Sequence, residues 1–246
     1  MISLDEIRSN SKRSNFEKNI RLNFFSARLA PYCTWVFANM GLKPNHVTLL
    51  FFLAGVTAAM LVLSNKGAYV ILSYLLYRAH LVLDVSDGEL ARYQKRFSRN
   101  GAYWDYLTHS LVYPLFFANM GIALYLRYGM MEFLFMASFG AISIGFFDAA
   151  KNDYYRALFA NRVTLDEYSS SDSEASSGKS IFKRTHPVFF EVFSFEGLIT
   201  LYVISFFFWG AAISKLILSS YTLLFFIMSA LKIILLSREG TYPKRN

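Results

Sequence analysis

Residues 46–64 read HVTLLFFLAGVTAAMLVLS. The stretch carries no Asp, Glu, Lys or Arg and approaches the ~20 residues that cross a bilayer as a helix. Working outward, similar runs fall at about 67–91, 101–127, 131–150, 189–214 and 216–236. Core helices of a soluble protein would need more charge around them. Here charged residues are 17% of 246, hydrophobic residues 54%, and 25 residues are Phe, against about 25% charge in ordinary soluble domains. The length alone suits one or two soluble domains, but the apolar runs override it. They predict an all-α polytopic membrane protein with six transmembrane helices. A single cysteine, Cys33, excludes a disulfide framework and a cysteine-built metal site.

The net charge of +8 suits nucleic acid or a membrane; its placement decides. Lys66, Arg127 and Lys215 stand alone in three short connections, whereas the segment before Pro44, the connection with Arg92, Lys95, Arg96 and Arg99, the long connection after residue 150 and the C-terminal tail are basic. The positive-inside rule puts both termini and both charged loops in the cytoplasm. No nucleic acid is needed to explain the charge.

The N-terminus lacks the apolar core of a signal peptide. Residues 1–42 are expected to form a cytoplasmic or interfacial segment. Ile20, Leu22, Phe24, Phe25 and Leu29 beside Lys18, Arg21 and Arg28 suit an amphipathic helix lying in the membrane interface. Pro31 is expected to end it, and residues 1–15 to be a basic tail without fixed structure. Residues 43–240 form the transmembrane domain, with a mobile polar loop at about 160–185 that contains SSSDSEASSG; residues 241–246 are a cytoplasmic tail. No internal repeat of the kind found in transporters and no nucleotide-binding glycine loop is visible.

Acidic residues in membrane helices are costly and mark function or pairing. The second run ends with Asp84, Asp87, Gly88, Ala91 and Arg92. Positions 84, 87, 88 and 91 share one helical face, and Gly88 and Ala91 keep that face shallow. The third run opens with Gly101, Asp105 and His109, again on one face. A short connection makes the two helices antiparallel neighbours, so three carboxylates and an imidazole can cluster. Such carboxylates need a counter-charge. Divalent cations supply it, oxygen ligands suit Mg²⁺ or Mn²⁺, and two ions can clamp a diphosphate during displacement at phosphorus. Elsewhere in the runs, Arg78 calls for a partner such as Asp148, and His80 has a structural reading.

The stretch DVSDGELARYQKRFSRNGAYWDYLTH, residues 84–109, resembles the signature of the CDP-alcohol phosphotransferase family: D-x-x-D-G-x-x-A-R, eight residues, then G-x-x-x-D-x-x-x-D. Asp84, Asp87, Gly88, Ala91, Arg92, Gly101 and Asp105 match it. Pro44, Asn45 and Thr48 resemble the Pro-Asn-x-x-Thr entry to the family's first helix; Asn45 also reads as a helix cap. The resemblance implies an integral membrane transferase in phospholipid biosynthesis. A CDP-alcohol such as CDP-diacylglycerol gives its substituted phosphate to an acceptor alcohol and CMP leaves. It further implies Mg²⁺ or Mn²⁺, two ions, held by Asp84, Asp87, Asp105 and the 109 position. Catalysis falls to Asp105 and residue 109, substrate binding to Asn45, Thr48, Gly88, Ala91, Arg92 and Gly101, at the cytoplasmic side of a homodimer.

His109 departs from this pattern, since the family's last aspartate aligns there. Three readings stay open: base or metal ligand, indirect role, or a degenerate site. The acceptor, lipid or polar, is open too; Lys151, Arg156, Lys183 and Arg184 suit an anionic one. Glu89 resembles members that handle polar alcohols. Alternatives are a small soluble CDP-alcohol donor with a lipid or glycan acceptor, and a non-catalytic membrane scaffold of the same fold.

Overall fold

The structure is a computed structural model and describes residues 2–11, 24–160 and 194–238. These residues are helical throughout, apart from turns, and contain no strand. The elements are Leu4–Asn10 (α1), Phe24–Asn39 (α2), Pro44–Leu61 (α3) followed by a 3₁₀ turn at Val62–Ser64, Gly67–Gln94 (α4), Arg99–Tyr128 (α5), Glu132–Ala160 (α6), Phe195–Phe208 (α7) and Ala211–Arg238 (α8). Five helical stretches are long and apolar enough to cross a membrane: Pro44–Ser64, Gly67–Gln94, Tyr103–Tyr128, Glu132–Tyr154 and Ala211–Ser237. The protein is therefore an integral membrane protein.

The fifth apolar run differs from expectation. Its described part is α7, whose 14 residues span about 21 Å at 1.5 Å per residue, short of the ~30 Å hydrocarbon core. The helix ends at Trp209, which is extended, and α8 starts at Ala211. The sequence suggested a boundary at Lys215 because that charge interrupts the apolar pattern. Instead Lys215 lies in the first turns of α8 and pairs with Glu132 at the start of α6. Neutralised there, it need not mark a loop.

The N-terminal segment is also more ordered than its composition suggests. Helix α2 runs through Pro31 to Asn39. Ser26, Ala30, Thr34 and Ala38 recur every four residues along one side and are all buried. This small-residue stripe packs on α4: Thr34 Oγ1 donates to Glu89 Oε2 at 2.9 Å, and Ser86 Oγ to the Ala30 carbonyl at 3.3 Å. Tertiary packing thus carries the helix past the proline. Ile20 and Leu22, expected in the same interfacial helix, lie outside the described residues, as do most of the polar loop at 160–185 and the tail at 241–246.

Within the expected structureless tail, Ser3 caps α1 by accepting from the Glu6 amide at 3.1 Å. Ile7 is fully buried against Ala38, Val47 and Leu90. The Trp35 indole donates to the Ile2 carbonyl at 2.7 Å, Tyr93 Oη to Glu6 Oε1 at 2.8 Å, and Arg92 Nε to the Ser11 carbonyl at 2.7 Å. The buried Ile7 and side-chain hydrogen bonds such as these hold a seven-residue helix that could not persist alone.

The main core lies away from this end. Tyr77, Phe116, Phe117, Met120, Phe133, Leu198, Tyr202 and Leu218, from α4 to α8, are nearly inaccessible and form one cluster. Polar seams cross it where hydroxyls reach backbone carbonyls of a neighbouring helix: Ser73 to Ala58, Thr222 to Met136 and Ser229 to Ser143. These bonds tie α4 to α3 and α8 to α6.

Candidate active site

The turn between α4 and α5 sets the site. Lys95 takes a left-handed conformation (φ 51°) and ends α4, with the Arg96 amide donating back to the Ala91 carbonyl at 3.0 Å. Ser98 then caps α5, accepting from the Gly101 amide at 2.9 Å. The chain reverses within a few residues, so the last turns of α4 face the first turns of α5.

Across that junction Asp84, Asp105 and His109 converge. His109 Nε2 lies 3.4 Å from Asp84 Oδ1 and 3.2 Å from Asp105 Oδ1. One potential ligand atom from each residue falls within 4.8 Å of the others. The side chains keep 26%, 37% and 26% exposure for Asp84, Asp105 and His109, enough for entry from water. On its other side, His109 Nδ1 is 3.0 Å from Tyr113 Oη, whose ring lies against Phe195 of α7 at 4.8 Å.

These residues fit a divalent cation. Asp105 Oδ1 is shielded from solvent and accepts no well-directed hydrogen bond among the described residues. A carboxylate oxygen in that state needs positive charge. Two ligands at right angles around a cation at about 2.2 Å lie about 3.1 Å apart, close to the 3.2 and 3.4 Å observed.

The other expected site residues fall around this group. Asp87 is outside the trio, and its Oδ2 accepts from Thr48 Oγ1 at 2.9 Å. Thr48 Oγ1 also donates to the Pro44 carbonyl at 3.1 Å, so the start of α3 is tied to α4 through this residue. Asn45 does not cap α3; Lys43 occupies that place and Pro44 the first turn. Asn45 Oδ1 instead accepts from Ser98 Oγ at 3.1 Å, next to Gly101, where a Cβ would approach both groups. The nearest group to a Cβ on Gly88 would be the Arg92 guanidinium, at 3.2 Å. Ala91 is half-buried one turn from Asp87. Glu89, which resembles members that handle polar alcohols, is buried on Thr34 and joins α4 to α2.

Three residues were not singled out for this site by their spacing, although spacing holds the signal. Tyr113 is one turn beyond His109. His80 is one turn before Asp84 and fully buried; its Nδ1–H donates to the Phe51 carbonyl at 2.9 Å, and its ring stacks on Phe51 at 4.3 Å. Nε2 of His80 has no hydrogen-bond partner among the described residues. Gly55 makes room for it, since a Cβ there would come within 2.5 Å of His80 Nδ1. Arg78 pairs at 2.8 Å with Glu196 of α7. Of the expected acceptor cations, Arg156 is exposed beside Asp153 at 3.5 Å; Lys183 and Arg184 lie outside the described residues.

Residues 42–159 match the CDP-alcohol phosphatidyltransferase family. A bifunctional IPC transferase and DIPP synthase of Aquifex aeolicus (strain VF5) is 29% identical over 121 residues, 49% of this chain and 26% of its own. The aligned stretch thus spans about a quarter of that curated relative. Both findings agree with the resemblance read from residues 84–109 and support the enzyme class it implied.

Proposed function

We propose that this chain, whose residues 42–159 match the CDP-alcohol phosphatidyltransferase family, moves a substituted phosphate from a CDP-alcohol to an acceptor alcohol at the cytoplasmic face of a membrane. The observation that carries the reading is the convergence of Asp84, Asp105 and His109 at the α4–α5 junction. That junction is where the family signature would need a metal site.

Asp84, Asp105 and His109 would hold a divalent cation, Mg²⁺ or Mn²⁺, and Asp87 a second beside Thr48. Bound there, cations supply positive charge to the donor's diphosphate. The chain's own groups do the rest. Gly88 and Ala91 leave a shallow face for the cytidine. Arg92, with Nε anchored on the Ser11 carbonyl, helps hold the nucleotide. Asn45, Thr48 and Gly101 line the approach. The acceptor hydroxyl attacks the phosphorus distal to cytidine, and its proton passes to the Asp105–His109 pair. The bond to the cytidylyl phosphate breaks, and CMP leaves with the bonding electrons. Positioning and charge supply most of the rate.

The intact Asp84–Asp105 geometry around His109 argues against a degenerate scaffold. The topology proposed around it is the six spans read from the sequence, with both termini cytoplasmic, and a homodimer in the membrane. CDP-diacylglycerol and a role in phospholipid synthesis suit such a setting. The second reading is a small soluble CDP-alcohol donor with a lipid or glycan acceptor.

The test is CMP release by purified protein with Mg²⁺ or Mn²⁺, given CDP-diacylglycerol or small CDP-alcohols, each with pooled acceptors. Metal-dependent release identifies the donor. No release with any pair, from folded protein, sinks the transferase reading.

A further inference from the structure

The imidazole in the trio has a chemical consequence. Mg²⁺ prefers oxygen and an octahedral shell of waters and carboxylates, whereas imidazole suits later divalent ions of the first transition series. We infer that the Asp84–Asp105–His109 group takes a transition-series cation such as Mn²⁺ in preference to Mg²⁺, bound through His109 Nε2, with Tyr113 holding the ring for that task.

Three observations support this. First, Nε2 is the nitrogen that faces the carboxylates, at 3.2 and 3.4 Å, spacings typical of neighbouring ligands on one cation. Second, the opposite nitrogen is served: Tyr113 Oη lies 3.0 Å from Nδ1. Metal-binding histidines commonly donate their second N–H to such a partner, which fixes the tautomer that leaves the first nitrogen's lone pair for the metal. A hydroxyl can accept from Nδ1–H in the loaded site and donate to bare Nδ1 when Nε2 carries the proton, so it serves both states. Third, the ring is confined. Phe51 and Tyr113 lie 5.4 and 5.3 Å from it, and the buried His80 ring stands edge-on at 6.5 Å. Confinement of this kind limits the rotations that would carry Nε2 away. Asp87 on Thr48 stays an oxygen-only position, so any preference for nitrogen-tolerant ions belongs to the trio alone. With Nε2 committed to a cation, the proton from the acceptor hydroxyl falls to Asp105.

The inference rests on the transferase reading only for its role in turnover; the binding preference is measured without substrate. Purified full-length protein in detergent would be titrated with Mn²⁺, and free Mn²⁺ followed by electron paramagnetic resonance, with Mg²⁺ as competitor. Pulsed measurements would look for ¹⁴N coupling to the bound ion. The expected result is ¹⁴N coupling and a preference for Mn²⁺ over Mg²⁺ on the order of tenfold. His109→Asp should abolish the coupling and bring the two affinities together. Tyr113→Phe, a milder change, should keep the coupling and weaken Mn²⁺ about tenfold, the lower end of what an outer partner contributes.

Absence of Mn²⁺ binding, bound Mn²⁺ without ¹⁴N coupling, or equal competition by Mg²⁺ overturns the inference. Coupling that survives in His109→Asp overturns the assignment to this residue. Mn²⁺ selectivity in protein that releases no CMP would leave the inference standing and remove the transferase reading; CMP release without selectivity would do the reverse.

Discussion

The Tyr113 hydroxyl lies 3.0 Å from His109 Nδ1, one turn further along α5. The pair is built into a single helix, so its geometry does not depend on how neighbouring helices shift. Tyr113→Phe removes one oxygen and keeps the ring against Phe195. Activity is expected to fall about tenfold, as for other partners of metal-binding histidines. Made in a His109→Asp background, the same change should have little further effect, because no ring nitrogen remains to be held. Equal losses in both backgrounds, measured as CMP release, would show that Tyr113 acts through packing instead.

Asp105→Asn is expected to lower CMP release at least ~100-fold, since it removes both a ligand charge and a proton acceptor. The same change relieves repulsion among Asp84, Asp87 and Asp105 when no cation is bound. Thermal unfolding in chelator should therefore occur at the same or a higher temperature than in the parent. Full activity in this variant would remove Asp105 from the site.

Gly55→Ala tests the layer beneath the trio. The added methyl would press on His80 Nδ1 and the Val112 side chain, displacing a ring that stands beside His109. Overpacking of this kind costs about 1–3 kcal/mol, and activity should drop more steeply than stability. Pairing it with His80→Ala should return part of the lost activity. Failure of that rescue would mean that the clash is absorbed at Val112.

The Ser11–Arg92 hydrogen bond predicts a defect in donor binding. Ile7→Asp places a charge where Ile7 is fully buried and should release α1. With Arg92 no longer held, KM for the CDP-alcohol is expected to rise about tenfold, a loss of ~1.4 kcal/mol of uniform binding with kcat little changed. A fall in kcat at constant KM would contradict the role given to Arg92.

Much of this was legible in the residues, and what was not has physical reasons. The first four spans were readable because each is bounded by charge or by a helix-ending residue. The spacing of Asp84, Asp105 and His109 on two joined helices was enough to predict that they meet, since helical periodicity is rigid over a turn or two, whereas Asp87, expected with them, lies outside the trio on Thr48. The α7–α8 break was hidden by uniform hydrophobicity: Trp209 and Gly210 lie between apolar residues, so no change of polarity marks the boundary. α1 and the passage of α2 through Pro31 were hidden because both depend on partners distant in sequence, Leu90 and Arg92 for one and Ser86 and Glu89 for the other. Local composition there reads as a basic tail. Tyr113 and His80 did lie at helical spacing from the acidic residues, but an aromatic or imidazole on an apolar helix is usually core.

The clasp between Ser11 and Arg92 has a further consequence for how the molecule comes into being. The hydrogen bond joins positions 81 residues apart, and Ile7 needs Leu90 as its floor. During translation α1 leaves the ribosome before either partner has been made. It must wait, undocked, while α3 and α4 are inserted, and only then can it close over the end of α4. The order of synthesis therefore makes α1 a seal applied after the helices it covers. A nascent chain arrested before residue 84 should expose Ile7 to protease, and one arrested well beyond residue 128 should protect it.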